Sequence, residues 1–301
     1  MAIIAVAGGT GNLGRTLVKA IVANGKHEVR ILGRKANPDL EKTLGAAIIP
    51  VDYTDIVATT KILEDNNIHT VVSAIAMLVF GDAPPEVELI RAADASKTTK
   101  RFIASGWGIP HTKDQLVSVP HKLNAARALE ETKDLEYTIV HNGMLLDYWT
   151  TKSTEMSPFS LIVDVAHKVA AIPGDGNTPV AFTHTSDVAE YVTVLLDAEE
   201  WDADSTIVGD KVTWNEFVRL AEAAHGAKFD VRYDTLEDLK NGKVTELPSQ
   251  VAAYQFVPKE VFQGFCITFG QWFALGAFDL TPSKVLPGLK PLTVKDALEY
   301  K

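Results

Sequence analysis

Three glycines at a fixed spacing carry the first chemical signal in this chain. They stand in Val6-Ala7-Gly8-Gly9-Thr10-Gly11-Asn12-Leu13-Gly14. The run follows a short β-branched segment and leads into helical periodicity, the context in which a glycine pattern holds a dinucleotide pyrophosphate. Gly8 permits a tight turn, and Gly11 lets the backbone approach the diphosphate. Gly14 lets helix and strand pack closely, while Thr10, Asn12 and Leu13 present amides at a positive helix terminus. The spacing is G-x-x-G-x-x-G rather than the commoner G-x-G-x-x-G. A second signal sits at Leu32-Gly33-Arg34-Lys35. A carboxylate at the end of that strand would take the ribose 2′-hydroxyl of NAD. The cationic pair Arg34 and Lys35 suits a 2′-phosphate instead, which favours NADP(H). Asp52 is expected on the adenine side, and Ser73 and Ala74 are expected to border the phosphates and ribose. No H-E-x-x-H, C-x-x-C or G-x-S-x-G pattern is present, so no metal site is expected.

The elements that must position these residues alternate regularly. Strands are expected at Ile3–Ala7, Glu28–Leu32, Ala47–Val51, His69–Ile75, Arg101–Ser105 and Tyr137–His141. Helices are expected at Arg15–Asn24, Val57–Asn66, Pro84–Ser96 and Lys122–Thr132. That alternation implies βαβ units and a parallel sheet: an α/β, Rossmann doubly wound fold with a smaller C-terminal α+β substrate region. The expected domains are residues 1–155 for NADP binding and 156–301 for substrate, partly interleaved. Beyond residue 150, helices are expected at Asp187–Ala198 and Thr213–His225, with Asp187 as a helix cap or a fold-stabilising hydrogen-bond partner. The stretch Phe262–Phe278 reads as an amphipathic helix.

The chain has 301 residues, 46% of them hydrophobic, with a formal net charge of -10 and one cysteine, Cys266. An acidic chain lacks the positive face that nucleic acid or anionic membrane requires, so neither is an expected partner. A lone thiol and no long apolar run fit a cytoplasmic protein, expected as a monomer or homodimer.

The ordered set of motifs resembles the NmrA-like and isoflavone reductase-like branch of the atypical short-chain dehydrogenases, which includes phenylcoumaran benzylic ether reductase-like proteins. The glycine run and Arg34 carry the resemblance, followed by Lys100-Arg101-Phe102-Ile103-Ala104-Ser105-Gly106 and by Lys122 with Arg127 and Glu130. Tyr137-Thr138-Ile139-Val140, Gly174-Asp175-Gly176-Asn177 and Asp187-Val188-Ala189 complete it. The likeness covers nearly the whole length. It implies NADPH, a Rossmann domain and a substrate cleft beside it. It also implies a lysine near the nicotinamide, which falls on Lys122. Ordinary members of the superfamily carry a tyrosine four positions earlier, where this chain has Ser118. The reductases' Ser-Glu-Phe-Gly is replaced by Ser105-Gly106-Trp107-Gly108.

Lys122 and Ser105 are therefore the expected catalytic residues. Lys122 would bind the nicotinamide ribose and protonate an oxyanion, and Ser105 would donate to a substrate carbonyl. Asn142 is expected at the nicotinamide. Trp107, His121, Gly143, Met144, Tyr148 and Trp149 are expected to line the substrate pocket. The functional expectation is an NADPH-dependent reductase of a small aromatic or polyketide-like electrophile: an enone, ketone or quinone methide. The alternatives are a non-catalytic NADP(H) sensor that binds a protein partner, and a redox-neutral isomerase or cyclase.

Overall fold

A computed structural model describes residues 1–77, 83–113, 119–157, 159–283 and 288–300. In chain order the first elements are β1 (Ile3–Ala7), α1 (Asn12–Asn24), β2 (Glu28–Gly33), α2 (Pro38–Leu44), β3 (Ala47–Pro50), α3 (Ile56–Asp65), β4 (Thr70–Ser73), α4 (Glu86–Ala95), β5 (Arg101–Ala104), α5 (Pro120–Glu130) and β6 (Glu136–His141). There follow β7 (Met144–Leu145), β8 (Val163–Asp164), β9 (Val169–Pro173), β10 (Pro179–Thr183), α6 (Thr185–Leu196), β11 (Asp204–Thr206), β12 (Asp210–Thr213) and α7 (Trp214–His225). The last are β13 (Asp230–Asp234), α8 (Leu236–Lys240), α9 (Lys259–Ala274) and α10 (Val294–Glu299).

The chain divides into two units. The first holds residues 1–141, 185–207 and 282–289; the second holds 142–184, 208–281 and 290–301. The chain leaves the first unit after His141 and re-enters it for α6 and β11.

The first unit is a seven-stranded parallel sheet in the order β11-β6-β5-β4-β1-β2-β3. Its inner strand β1 is buried almost throughout, which fits its unbroken apolar sequence. β1 pairs with β2 on one side and β4 on the other, so the direction of winding reverses there. The crevice outside the carboxyl ends at such a reversal is where α/β sheets hold ligands. One face packs on α1 and α6 through Leu17, Val18, Ile21 and Val192. The other packs on α3, α4 and α5 through Leu63, Leu89, Ile90 and Leu129. α1 presents its buried residues at helical spacing and stops at Gly25, whose left-handed conformation lets its amide close on Ile21 and Val22.

The second unit has two three-stranded sheets, β12-β10-β7 and β13-β9-β8. Its centre is aromatic: Trp149, Phe182, Trp214 and Phe217 meet with ring centroids 5.3–5.9 Å apart. The aromatic stretch expected as an amphipathic helix is α9, which buries Phe262, Phe269, Trp272 and Phe273. α6 opens before Asp187 rather than at it. That helix begins two residues earlier, and Asp187 lies buried in its first turn.

Candidate cofactor and active site

The glycine run forms a cradle at the head of α1. Gly8 has φ +71°, and a Cβ there would lie 2.8 Å from the carbonyl oxygen of Ala74. A Cβ on Gly14 would lie 2.2 Å from the carbonyl oxygen of Gly8. Loop, helix and β4 thus meet at a distance that only glycine permits. Gly11 occupies the cap position with no side-chain bond to the helix amides, and no acidic residue stands in the first turn. The terminus of this 13-residue helix therefore has no negative side chain competing for its dipole, and its donor set fits a dinucleotide pyrophosphate.

Two residues hold this cradle that sequence reasoning passed over. The Tyr53 hydroxyl donates to the carbonyl of Leu32 at 2.6 Å and accepts from the Gly8 amide at 3.1 Å. Burial pushes its phenol up to about 12, so it stays a neutral donor. The Arg15 guanidinium folds back onto the loop, its Nε 2.8 Å from the carbonyl oxygen of Thr10. Arg34 and Lys35 stand exposed directly after β2, and the Arg34 charge is felt by Tyr53. Asn12 is exposed at the head of α1, while Leu13 packs on the α1 face of the core. Asp52 is exposed and closes its own turn: its carboxylate accepts from the Thr54 amide and hydroxyl, which hold it below its ordinary value. Ala74 binds β1 through its amide, 2.8 Å from the Ala7 carbonyl oxygen.

Beside the cradle, the carboxyl ends of β4 and β5 carry a connected polar group. Lys122 Nζ donates to the carbonyl of Gly106 and lies 3.4 Å from that of Trp107. Its stem keeps some surface, but its ammonium end is enclosed, and desolvation lowers it to about 8. Ser105 Oγ donates to the Ile75 carbonyl at 2.6 Å, and the Trp107 indole donates to that of Ser73 at 2.9 Å. Glu86, the first residue of α4, is 1% exposed. It accepts from Ser73 Oγ at 2.5 Å and from the Ser105 amide at 3.0 Å, and burial pushes it up to about 7. The sequence places Ser73, Ser105, Trp107 and Lys122 at this end of the sheet, and they do meet there. Glu86 escapes sequence reasoning, because an acid in the first turn of a helix ordinarily answers the helix dipole from the surface. Gly106 also has a physical account. A Cβ there would lie 2.4 Å from the Val140 carbonyl oxygen, so the glutamate of the reductases has no room. Ser118 lies outside the described residues. His121 is half-buried at the second position of α5.

A groove of about 430 Å³ runs along α5, walled by Ser105, Lys122, Ile139, His141 and Asp204. His141 is buried, with Nε2 2.9 Å from the Asp204 carboxylate.

The remaining expected residues belong to the second unit. Asn142 is fully buried; its amide nitrogen donates to the Gly143 carbonyl, and its Oδ1 has no partner among the described residues. Gly143 has φ +66° and abuts the Ala181 carbonyl. Met144 is buried in β7, and the Trp149 indole donates to Val163 from within the aromatic centre. Tyr148 and Trp149 line a cavity of about 760 Å³ together with Asp164, His225 and Tyr300.

A doubly wound parallel sheet with a glycine cradle at its reversal point defines a Rossmann-like dinucleotide-binding α/β protein. More narrowly, the chain belongs to the NmrA-like family, whose model matches residues 2–270. It is 33% identical over 287 residues to the oxidoreductase swnN of Metarhizium robertsii, covering 85% of this chain and 83% of that one. It is 31% identical over 285 residues to the oxidoreductase BOA1 of Botryotinia fuckeliana, covering 93% and 90%. The fold matches the leucoanthocyanidin reductase–NADPH complex from Vitis vinifera with a TM-score of 0.71 at 18% identity, over 99% of this chain and 98% of that one. No helix among the described residues is long and apolar enough to cross a membrane.

Proposed function

We propose that this protein is an NADPH-dependent reductase of a small aromatic or polyketide-like electrophile, such as an enone, ketone or quinone methide. The observation that carries the reading is the enclosed ammonium of Lys122, held beside Ser105 at the sheet end that also bears the glycine cradle. The relatives named oxidoreductases support it. So does the groove beside Lys122, whose volume lies in the range of small-molecule pockets.

NADPH, when bound, supplies the hydride. The Gly8–Gly14 cradle and the head of α1 hold its pyrophosphate, and Arg34 with Lys35 takes the 2′-phosphate. Lys122 donates a proton from Nζ to the substrate oxygen as that atom receives the displaced π-electron pair. The neutral amine then recovers a proton from water. Ser105 lies next to Lys122 and orients the same oxygen once its hydroxyl turns from Ile75. Trp107, tied to Ser73, forms an apolar wall.

The test is loss of NADPH absorbance against a panel of quinones, enones and aryl ketones. Lys122→Ala is expected to lower kcat by about 10²- to 10⁴-fold, the usual contribution of a positioned acid. Equal turnover by the variant would remove Lys122 from the mechanism. A protein that turns over no panel member, distinguishes NADP+ from NADPH by calorimetry and captures a protein partner would instead be a sensor.

A further inference from the structure

Glu86 is built into the candidate site in a way that its hydrogen bonds alone do not explain. One carboxylate oxygen accepts from Ser73 at the end of β4, and the other accepts from the Ser105 amide just after β5. The side chain therefore ties together the carboxyl ends of two neighbouring parallel strands. A glutamine would make the same bridge: its oxygen would accept from the Ser105 amide and its nitrogen would donate to Ser73 Oγ. The bridge needs no charge, and burying a carboxylate costs far more than burying an amide. Among the described residues, two titratable groups act with Glu86. Tyr53 follows β3 and feels its charge. Lys122, on α5, holds the carbonyl of Gly106 through Nζ, one residue beyond the Ser105 amide that Glu86 holds, and is the cation that charge acts on. The end of β4 contributes the Ser73 hydroxyl, and the residue after β5 contributes the Ser105 amide.

We infer that Glu86 is a positioning residue that keeps Lys122 in its protonated, donor form beside Ser105 and so sets the pH range over which substrate is reduced. The kinetic half of this inference rests on the proposal that Lys122 faces substrate; the electrostatic half does not. Burial pulls the Lys122 ammonium toward the neutral amine, and a carboxylate nearby opposes that pull. With the charge gone and the bridge kept, the amine form gains and the donor is lost at lower pH.

The experiment is a pH titration of the Lys122 side chain by NMR on protein labelled with ¹³C at lysine Cε, with the resonance assigned by its absence in Lys122→Arg. In Glu86→Gln the Lys122 midpoint is expected to move toward acid by about one unit, the scale on which a neighbouring opposite charge acts. Ser73→Ala is the second variant. It removes a donor to the carboxylate, disfavours its charged form and moves the midpoint the same way by a smaller amount. An unmoved midpoint in the folded variants, or a shift toward alkali, would overturn the inference. A merely structural bridge predicts that unmoved midpoint. With menadione as electron acceptor, the alkaline limb of kcat in Glu86→Gln is expected to move to lower pH while KM for NADPH stays the same. If the native protein does not reduce menadione or any other acceptor in the panel, the reductase reading fails, and the titration still decides the role of Glu86.

Discussion

Replacing Tyr53 by phenylalanine removes one oxygen atom and tests whether the cradle must be held from behind. That oxygen donates to the Leu32 carbonyl at 2.6 Å and accepts from the Gly8 amide at 3.1 Å. The Gly8 amide keeps a longer bond to the Leu32 carbonyl at 3.2 Å, so it is not orphaned in the variant. The net loss is then about 1 kcal/mol, the value of one intramolecular hydrogen bond, rather than the larger cost of an unsatisfied buried donor. If that energy is spent on the loop's binding-competent shape, NADPH affinity falls about fivefold. Thermal unfolding of the apoprotein should drop by about 2 °C. Calorimetric titration of NADPH into the native and Tyr53→Phe proteins measures the first quantity, and differential scanning calorimetry measures the second. Unchanged affinity in a protein with unchanged Tm would refute the claim that this hydroxyl shapes the cradle. Failure of the native protein to bind NADPH would refute the cofactor assignment itself.

Three further outcomes follow from the geometry. Arg34→Ala with Lys35→Ala is expected to cut the preference for NADPH over NADH by about tenfold or more, since charge-assisted bonds to the 2′-phosphate are lost; fluorescence titration with both nucleotides checks it, and an unchanged ratio would clear the pair of that role. Gly106→Glu restores the residue common in the reductases but drives a Cβ to 2.4 Å from the Val140 carbonyl oxygen, inside a strand paired on both sides. A loss of about 1–3 kcal/mol in denaturant unfolding is expected, and a variant as stable as the native protein would show that β6 can yield. Trp149→Ala removes a ring from the aromatic centre of the second unit and is expected to cost about 3–5 kcal/mol; a loss below about 1 kcal/mol would mean that the ring is a pocket wall and little else.

The parallel sheet was legible because its strands announce themselves twice, by composition and by what separates them. β1 is apolar throughout and runs into glycines, and α1 repeats Leu17, Val18 and Ile21 on one face. α2 escaped notice although Asn37 caps it, Pro38 opens it and Gly45 ends it. It is seven residues long and buries only Leu44, so it carries no periodicity. β11 escaped for a similar reason: it is a three-residue edge strand, recognisable only by its pairing with β6. In the site, the glycine cradle was readable because its residue types are tied to a backbone conformation and a close approach. Tyr53 and Glu86 were not, since a tyrosine after a strand and a glutamate opening a helix have ordinary explanations. What sets them apart is burial against a partner distant in sequence: 45 residues from Tyr53 to Gly8, and 19 from Glu86 to Ser105. Asp52 shows the converse. Its position drew attention, while its carboxylate is engaged with Thr54.

The discontinuity of the first unit has a consequence for synthesis and folding. α6 packs on α1, and β11 closes the sheet against β6, yet both emerge only after residues 142–184 of the other unit. A nascent chain that has reached residue 155 holds six of the seven strands, but the face bearing Leu17, Val18, Ile21 and Val140 lacks Val192 and Leu195 to cover it. Long-range pairings of this kind slow folding, because the loop must be closed before the contacts that reward it can form. A fragment ending at 155 is therefore expected to aggregate or to be degraded rather than to bind nucleotide. Late in translation, arrival of α6 is the step that converts a sticky, half-covered sheet into a finished one.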